Sequence, residues 1–150
     1  MKPKHIIICA FLLIFINSFS QKFSLGEKLL PTSSKFKLLG ISSETLVETY
    51  QYIGTMTDIY FYNRRIGEIL ICLKNGMIVN TIYNLIPEEE DVDVPQSLIN
   101  LVQQSSPIQL VNKNKIWAVR VNNETISIGR ANNALTLNKD RILFMSSLKK

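Results

Sequence analysis

The hydrophobic pattern of this chain opens on one unbroken apolar run and then breaks into shorter stretches of helical or strand period. From Ile6 to Ile16 every residue is apolar, with Lys2, Lys4 and His5 before it and Asn17 ending it. Ser18-Phe19-Ser20 then puts small residues at the −3 and −1 positions of a cut before Gln21. A positive flank, a short apolar run and a small-x-small site are the three parts of a secretory signal. The run is about half of the roughly 20 apolar residues that a spanning helix needs. Residues 1–20 therefore read as a cleavable signal peptide. Cys9 lies inside the apolar run, too early to accept a lipid at the cut.

After the cut, residues 21–40 read as an irregular N-terminal segment, with Gly26, Pro31 and Thr32-Ser33-Ser34 breaking regular structure. Residues 36–41 form a short extended piece. Ser42 or Ser43 suits an N-cap, with Glu44 in the first turn of the helix and Gly54 past its end. Leu46, Val47, Tyr50 and Ile53 recur at helical spacing between them, which predicts a helix over 43–53.

The clearest strand signals are 58–62, 66–74 and 77–84, rich in Ile, Tyr, Phe and Val. Asn75-Gly76 between the last two tolerates positive φ and suits a type I′ hairpin turn. A regular ladder from that turn sets Lys74 opposite Met77, Cys72 opposite Val79 and Leu70 opposite Thr81. Ile69, Ile71, Leu73, Ile78 and Ile82 then share one face. The acidic stretch Glu88–Asp93 separates this unit from Pro95, which suits the first turn of a helix carrying Leu98, Ile99, Leu101 and Val102. Strands follow at 108–112, 115–121, 124–128 and 141–145, joined by Asn112-Lys113-Asn114 and Asn122-Asn123 turns.

Helix and meander thus occur twice, and Ile59-x-x-x-Asn63 and Ile108-x-x-x-Asn112 hold similar places in the two halves. The expected fold is α+β: an antiparallel sheet built from two helix-plus-β-meander halves packed into a single domain over 21–150. The first half, with Leu39-Gly40-Ile41, the helix to Gly54 and the strands around Lys74-Asn75-Gly76, resembles the helix-plus-meander module of small bacterial envelope lipoproteins and β-lactamase inhibitor proteins. That resemblance implies a fold and carries no function.

Removing the signal changes the chemistry available. His5 is the single histidine and Cys9 one of two cysteines, so residues 21–150 hold no imidazole and only the thiol of Cys72. Without Lys2 and Lys4 the 17 basic residues become 15 against 12 acidic ones, a formal charge of +3. Sites that need a histidine base lose it, the usual zinc sets lose their commonest ligand, and no intramolecular disulfide can form. A net +3 spread among acids is a poor footprint for nucleic acid.

The remaining constellations are weak as chemistry. Cys72 lies between Ile71 and Leu73 in a predicted strand, where a buried, inert thiol is ordinary. Ser146-x-x-Lys149 has dyad spacing but sits in the terminal tail. Glu88–Asp93 offers hard oxygen ligands for calcium without the glycine turn or distal glutamate of a known loop, and reads as a solvated linker. Asp58, Glu68 and Glu124 are the acids on or beside strands that a glycoside-cleaving pair would draw on. Asn123-Glu124-Thr125 is a glycosylation sequon on a turn.

Tyr60, Tyr62, Arg64 and Arg65 cluster at one hairpin tip, and Tyr and Arg are favoured anchors of protein contacts. The sequence thus argues against an enzyme, and no cofactor is expected. It points to an exported binding or cell-envelope protein, periplasmic or extracellular, with no transmembrane span after cleavage. Its partner is another protein or a surface polymer. Two other classes stay open: a carboxylate-based hydrolase of envelope polysaccharide, and a small-ligand or lipid carrier lined by the apolar sheet faces.

Overall fold

The computed structural model describes residues 23–56, 59–131 and 139–148. The predicted signal peptide, Gln21, Asp58 and Lys149 lie outside the described residues. The chain runs β1 (Phe36–Ile41), β2 (Glu48–Tyr52), β3 (Tyr60–Phe61), β4 (Arg64–Lys74), β5 (Met77–Leu85), α1 (Gln96–Gln104), β6 (Val111–Lys113), β7 (Ile116–Val121), β8 (Glu124–Ala131) and β9 (Arg141–Leu148).

The strands form a nine-stranded antiparallel sheet in the order β1-β2-β4-β5-β9-β8-β7-β6, with β3 paired to β4 alone. About half of the chain is strand, and α1 is the one described helix of any length. The α+β expectation of two helix-plus-meander halves is therefore wrong: this is a β-rich fold. The likeness to envelope lipoproteins and inhibitor proteins falls with it, because it required a helix over 43–53.

The reason is visible at Ser42. Its Oγ accepts a hydrogen bond from the Thr45 N–H at 3.3 Å, as an N-cap would. The Leu46 N–H then reaches back to the Ser42 carbonyl at 2.8 Å. One turn forms and stops, because Leu46 takes φ 55° and the Ser42 N–H bonds to the Val47 carbonyl at 2.9 Å. The next residues, Glu-Thr-Tyr-Gln-Tyr, are strand formers and pair with β1 and β4 as β2. Gly54 ends no helix. The Tyr52 ring folds back over it, and a Cβ there would lie 2.5 Å from the phenol oxygen.

The β4–β5 hairpin forms as its turn residues demand. Asn75 and Gly76 have φ 53° and 73°, and Lys74 faces Met77. The ladder then shifts: Leu73 faces Ile78 but Cys72 faces Asn80, leaving Val79 as a bulge. Leu70 consequently pairs with Ile82, not Thr81, and those two lie on the face opposite Ile69, Ile71, Leu73 and Ile78.

One face of the sheet carries the main core. Ile69, Ile71, Leu73, Tyr83, Leu85, Ile128, Ile142 and Phe144 pack there with Leu98, Ile99 and Val102 of α1. Those three are the buried residues of the helix, and Leu101 is only half-buried. Pro95 sits just ahead of the first turn in an extended conformation. The opposite face has a smaller cluster of Leu70, Ile82 and Leu143.

The N-terminal segment is irregular to Lys35, as its composition indicates, yet it is tied down. Beyond the last β5–β9 pair, Asn80 with Ser147, the Gly26 N–H donates to the Ile78 carbonyl, Ile78 N–H to Glu27 and Leu29 N–H to Gly76. Phe23 packs edge-on against Phe36 and Tyr52.

Candidate functional site

Tyr62 and Asn63 form the two-residue turn between β3 and β4, with φ 48° and 60° and Phe61 paired to Arg64. Both positions of a type I′ turn need positive φ. Asn63 suits this, whereas a tyrosine with positive φ is a true outlier. The ring of Tyr62 is held by Phe61, at 4.8 Å between centroids, and by Phe144 at 5.6 Å. Phe61 in turn stacks flat on Tyr83 at 4.3 Å and meets Phe144 edge-on at 4.8 Å.

These rings wall an open cleft of about 590 Å³ on the helix-bearing face of the sheet. Thr81, Tyr83, Phe144, Ser146 and Ile126 form its floor from β5, β9 and β8. Phe23, Ser24 and Leu25 close one side, Tyr60, Phe61 and Tyr62 another, with Ser105 at the end of α1 and Glu124 at the start of β8 on the rim. Tyr60 is 54 % exposed. Tyr83 is buried, which pushes its phenol above the ordinary 10.0, partly offset by a backbone hydrogen bond with Phe23.

Of the four predicted contact residues, the structure brings Tyr60 and Tyr62 together in the cleft and sends the arginines elsewhere. Arg64 is buried, with Nη1 at 2.8 Å from Asp91 and 3.0 Å from Glu88. Asp91 also accepts the Glu88 N–H at 2.9 Å, and Arg130 donates to the Asp91 carbonyl while pairing with Asp140. The acidic stretch is thus no free linker: it is clamped on the sheet by Arg64 and Arg130. Arg65 is exposed and does not line the cleft.

The other candidates separate. Glu68 accepts a hydrogen bond from Asn84 Nδ2 at 2.6 Å, on the face away from Tyr83, whereas Glu124 is on the cleft face. These two acids therefore do not converge, and Asp58 lies outside the described residues. Cys72 is buried on the face away from the cleft, with Thr49 Oγ1 at 3.7 Å, and burial raises its thiol above 9.0. Ser146 lies in the cleft floor instead of a loose tail. Asn123 sits exposed in the β7–β8 turn next to Glu124.

The sequence pattern did not mark Phe23, Tyr83 or Phe144 as site residues, and it offered Ser146 only as half of a serine–lysine spacing in the tail. The signal that was available is the alternation of β5 and β9, which puts Thr81 and Tyr83 on one face beside Ser146 and Phe144. No helix among the described residues is long and apolar enough to cross a membrane. Comparison with protein families, with curated protein sequences and with solved structures found no match for this chain.

Proposed function

We propose that this is an exported, non-catalytic binding protein that holds its partner in the Tyr60–Tyr62 cleft. The observation that carries the reading is Tyr62 in the left-handed conformation. A bulky residue there costs roughly 1–2 kcal/mol against glycine, and strain of this kind gathers at ligand clamps and active sites. Next to it Tyr60 offers an exposed ring. Among the described residues that line the cleft Glu124 is the one carboxylate, which supports binding over acid–base chemistry. Export rests on the signal-like N-terminus, and an envelope or extracellular setting follows from it.

The test uses residues 21–150 immobilised against solubilised envelope material of the source cell. Wild type retains a component, Tyr60→Ala and Tyr62→Gly retain at least about tenfold less, corresponding to 1.4 kcal/mol or more, and both variants unfold within a few degrees of wild type. Equal retention by all three proteins overturns the reading.

A further inference from the structure

We infer that the cleft binds an uncharged sugar chain; this rests on the binding role proposed above and names its ligand class. Three features of the lining point there.

First, the floor is the middle of a sheet, not its edge. Thr81 pairs with Ser146, Tyr83 with Phe144, and Ile126 with both Ser146 and Val119. β5, β9 and β8 each have a neighbour on both sides, so their main-chain groups are spent in the ladder. A ligand is met there by side chains. An extended peptide joining by strand addition needs free main-chain groups, and the floor has none to offer.

Second, charge selects against polyanions. Among the described residues that line the cleft, Glu124 is the only charged one. No described lining residue is a cation that would meet a phosphate, sulfate or carboxylate polymer. Its like charge with Glu124 would add to the desolvation cost.

Third, the side chains that remain match a sugar. The hydroxyls of Ser24, Thr81 and Ser146 and the phenol of Tyr62 each donate and accept, as sugar hydroxyls do. Glu124 accepts only, and the half-exposed ring of Tyr60 offers apolar surface to the C–H side of a pyranose. The volume of about 590 Å³ falls within the roughly 300–1,000 Å³ of small-ligand sites. The cleft is open, so a chain can enter and leave along it. A lipid tail would instead want an enclosed apolar cavity, and this one carries hydroxyls and a carboxylate.

The test is calorimetric titration of residues 21–150 with four neutral tetrasaccharides, of glucose, mannose, galactose and N-acetylglucosamine, and with dextran sulfate, tetralysine and tetra-alanine. At least one neutral tetrasaccharide binds, independently of salt. Tyr60→Ala lowers that affinity at least tenfold, and Glu124→Gln lowers it about tenfold or less, while Val92→Ser on the acidic loop leaves it unchanged. Binding of dextran sulfate, tetralysine or tetra-alanine with no neutral sugar bound overturns the ligand class, and so does no binding by any probe. In either case the envelope-capture experiment still decides the binding role separately: Tyr60-dependent capture without sugar binding retains the cleft and discards the sugar.

Discussion

Single residues here carry two kinds of information, and only one of them is local. Asn75-Gly76 and Asn63 declare their turns through their own conformational tolerance. Gly54, Arg64 and Cys72 take their meaning from residues far along the chain or folded back over them. Gly54 exists for the Tyr52 ring, and Arg64 for Asp91, which is 27 positions away. Cys72 was legible as a buried, ordinary thiol, and its surroundings give that a pH dependence. Burial raises its pKa above the free value of 9.0, with the Thr49 hydroxyl opposing weakly. The folded state therefore holds its proton where the unfolded chain has lost it. The stability from this difference is complete below about pH 9 and is lost as the pH rises through the folded value. Iodoacetamide at pH 8.5 is expected to label Cys72 much more slowly in the folded protein than in urea, read by intact mass. Equal rates in both states contradict this burial.

At the scale of elements, what could be read depended on whether a local signal ran long enough to decide. The β4–β5 hairpin and α1 were legible because turn chemistry and periodicity agreed over many residues. The stretch 43–53 was not. Leu46, Val47, Tyr50 and Ile53 fit a helix as counts, but the chain closes one turn at Leu46 and the rest pairs between β1 and β4. Tertiary pairing overrode a short periodic coincidence. The Val79 bulge had no signal at all in residue type, and it moved Ile82 to the other face. The acidic stretch was visible as charge but not as a clamp, because its partners Arg64 and Arg130 lie in β4 and β8.

That clamp makes a prediction about how an element is held. Arg64 and Asp91 have side-chain exposures of 9 % and 8 %, whereas Glu88 is 69 % exposed. Arg64→Met leaves the Asp91 charge buried without its cation, a loss of about 3–5 kcal/mol. Glu88→Gln removes a solvated partner and costs about 0–1 kcal/mol. Urea unfolding of both variants checks the contrast, and Arg64→Met together with Asp91→Asn recovers part of the loss. Equal effects of Arg64→Met and Glu88→Gln would show that the loop is not anchored through Asp91.

Across the whole molecule, the sheet brings together what the chain keeps apart. The cleft draws on the N-terminal segment, the β3–β4 turn, β5, the end of α1, β8 and β9. Tyr60 and Tyr62 were legible as an aromatic pair at a turn. Their setting was not, because it depends on β9 lying between β5 and β8, a placement that no local pattern encodes. Arg64 and Arg65, which follow the tyrosines in sequence, do not line the cleft: Arg64 is drawn to Asp91, and Arg65, the cross-strand partner of Tyr60, is exposed beside it. A cleft assembled from six segments, with a strained tyrosine at its mouth, is the central claim about this protein.

The most direct test places a photo-reactive phenylalanine analogue at position 60 and, in a parallel protein, at position 92, which is 94 % exposed on the acidic loop. Each is expressed in the source cell and irradiated there, and the adducts are measured by intact mass and gel. The expected result is a defined adduct from position 60 that position 92 does not give and that Tyr62→Gly abolishes. Identical products from positions 60 and 92, or none from position 60, would contradict the assignment of the cleft as the binding site.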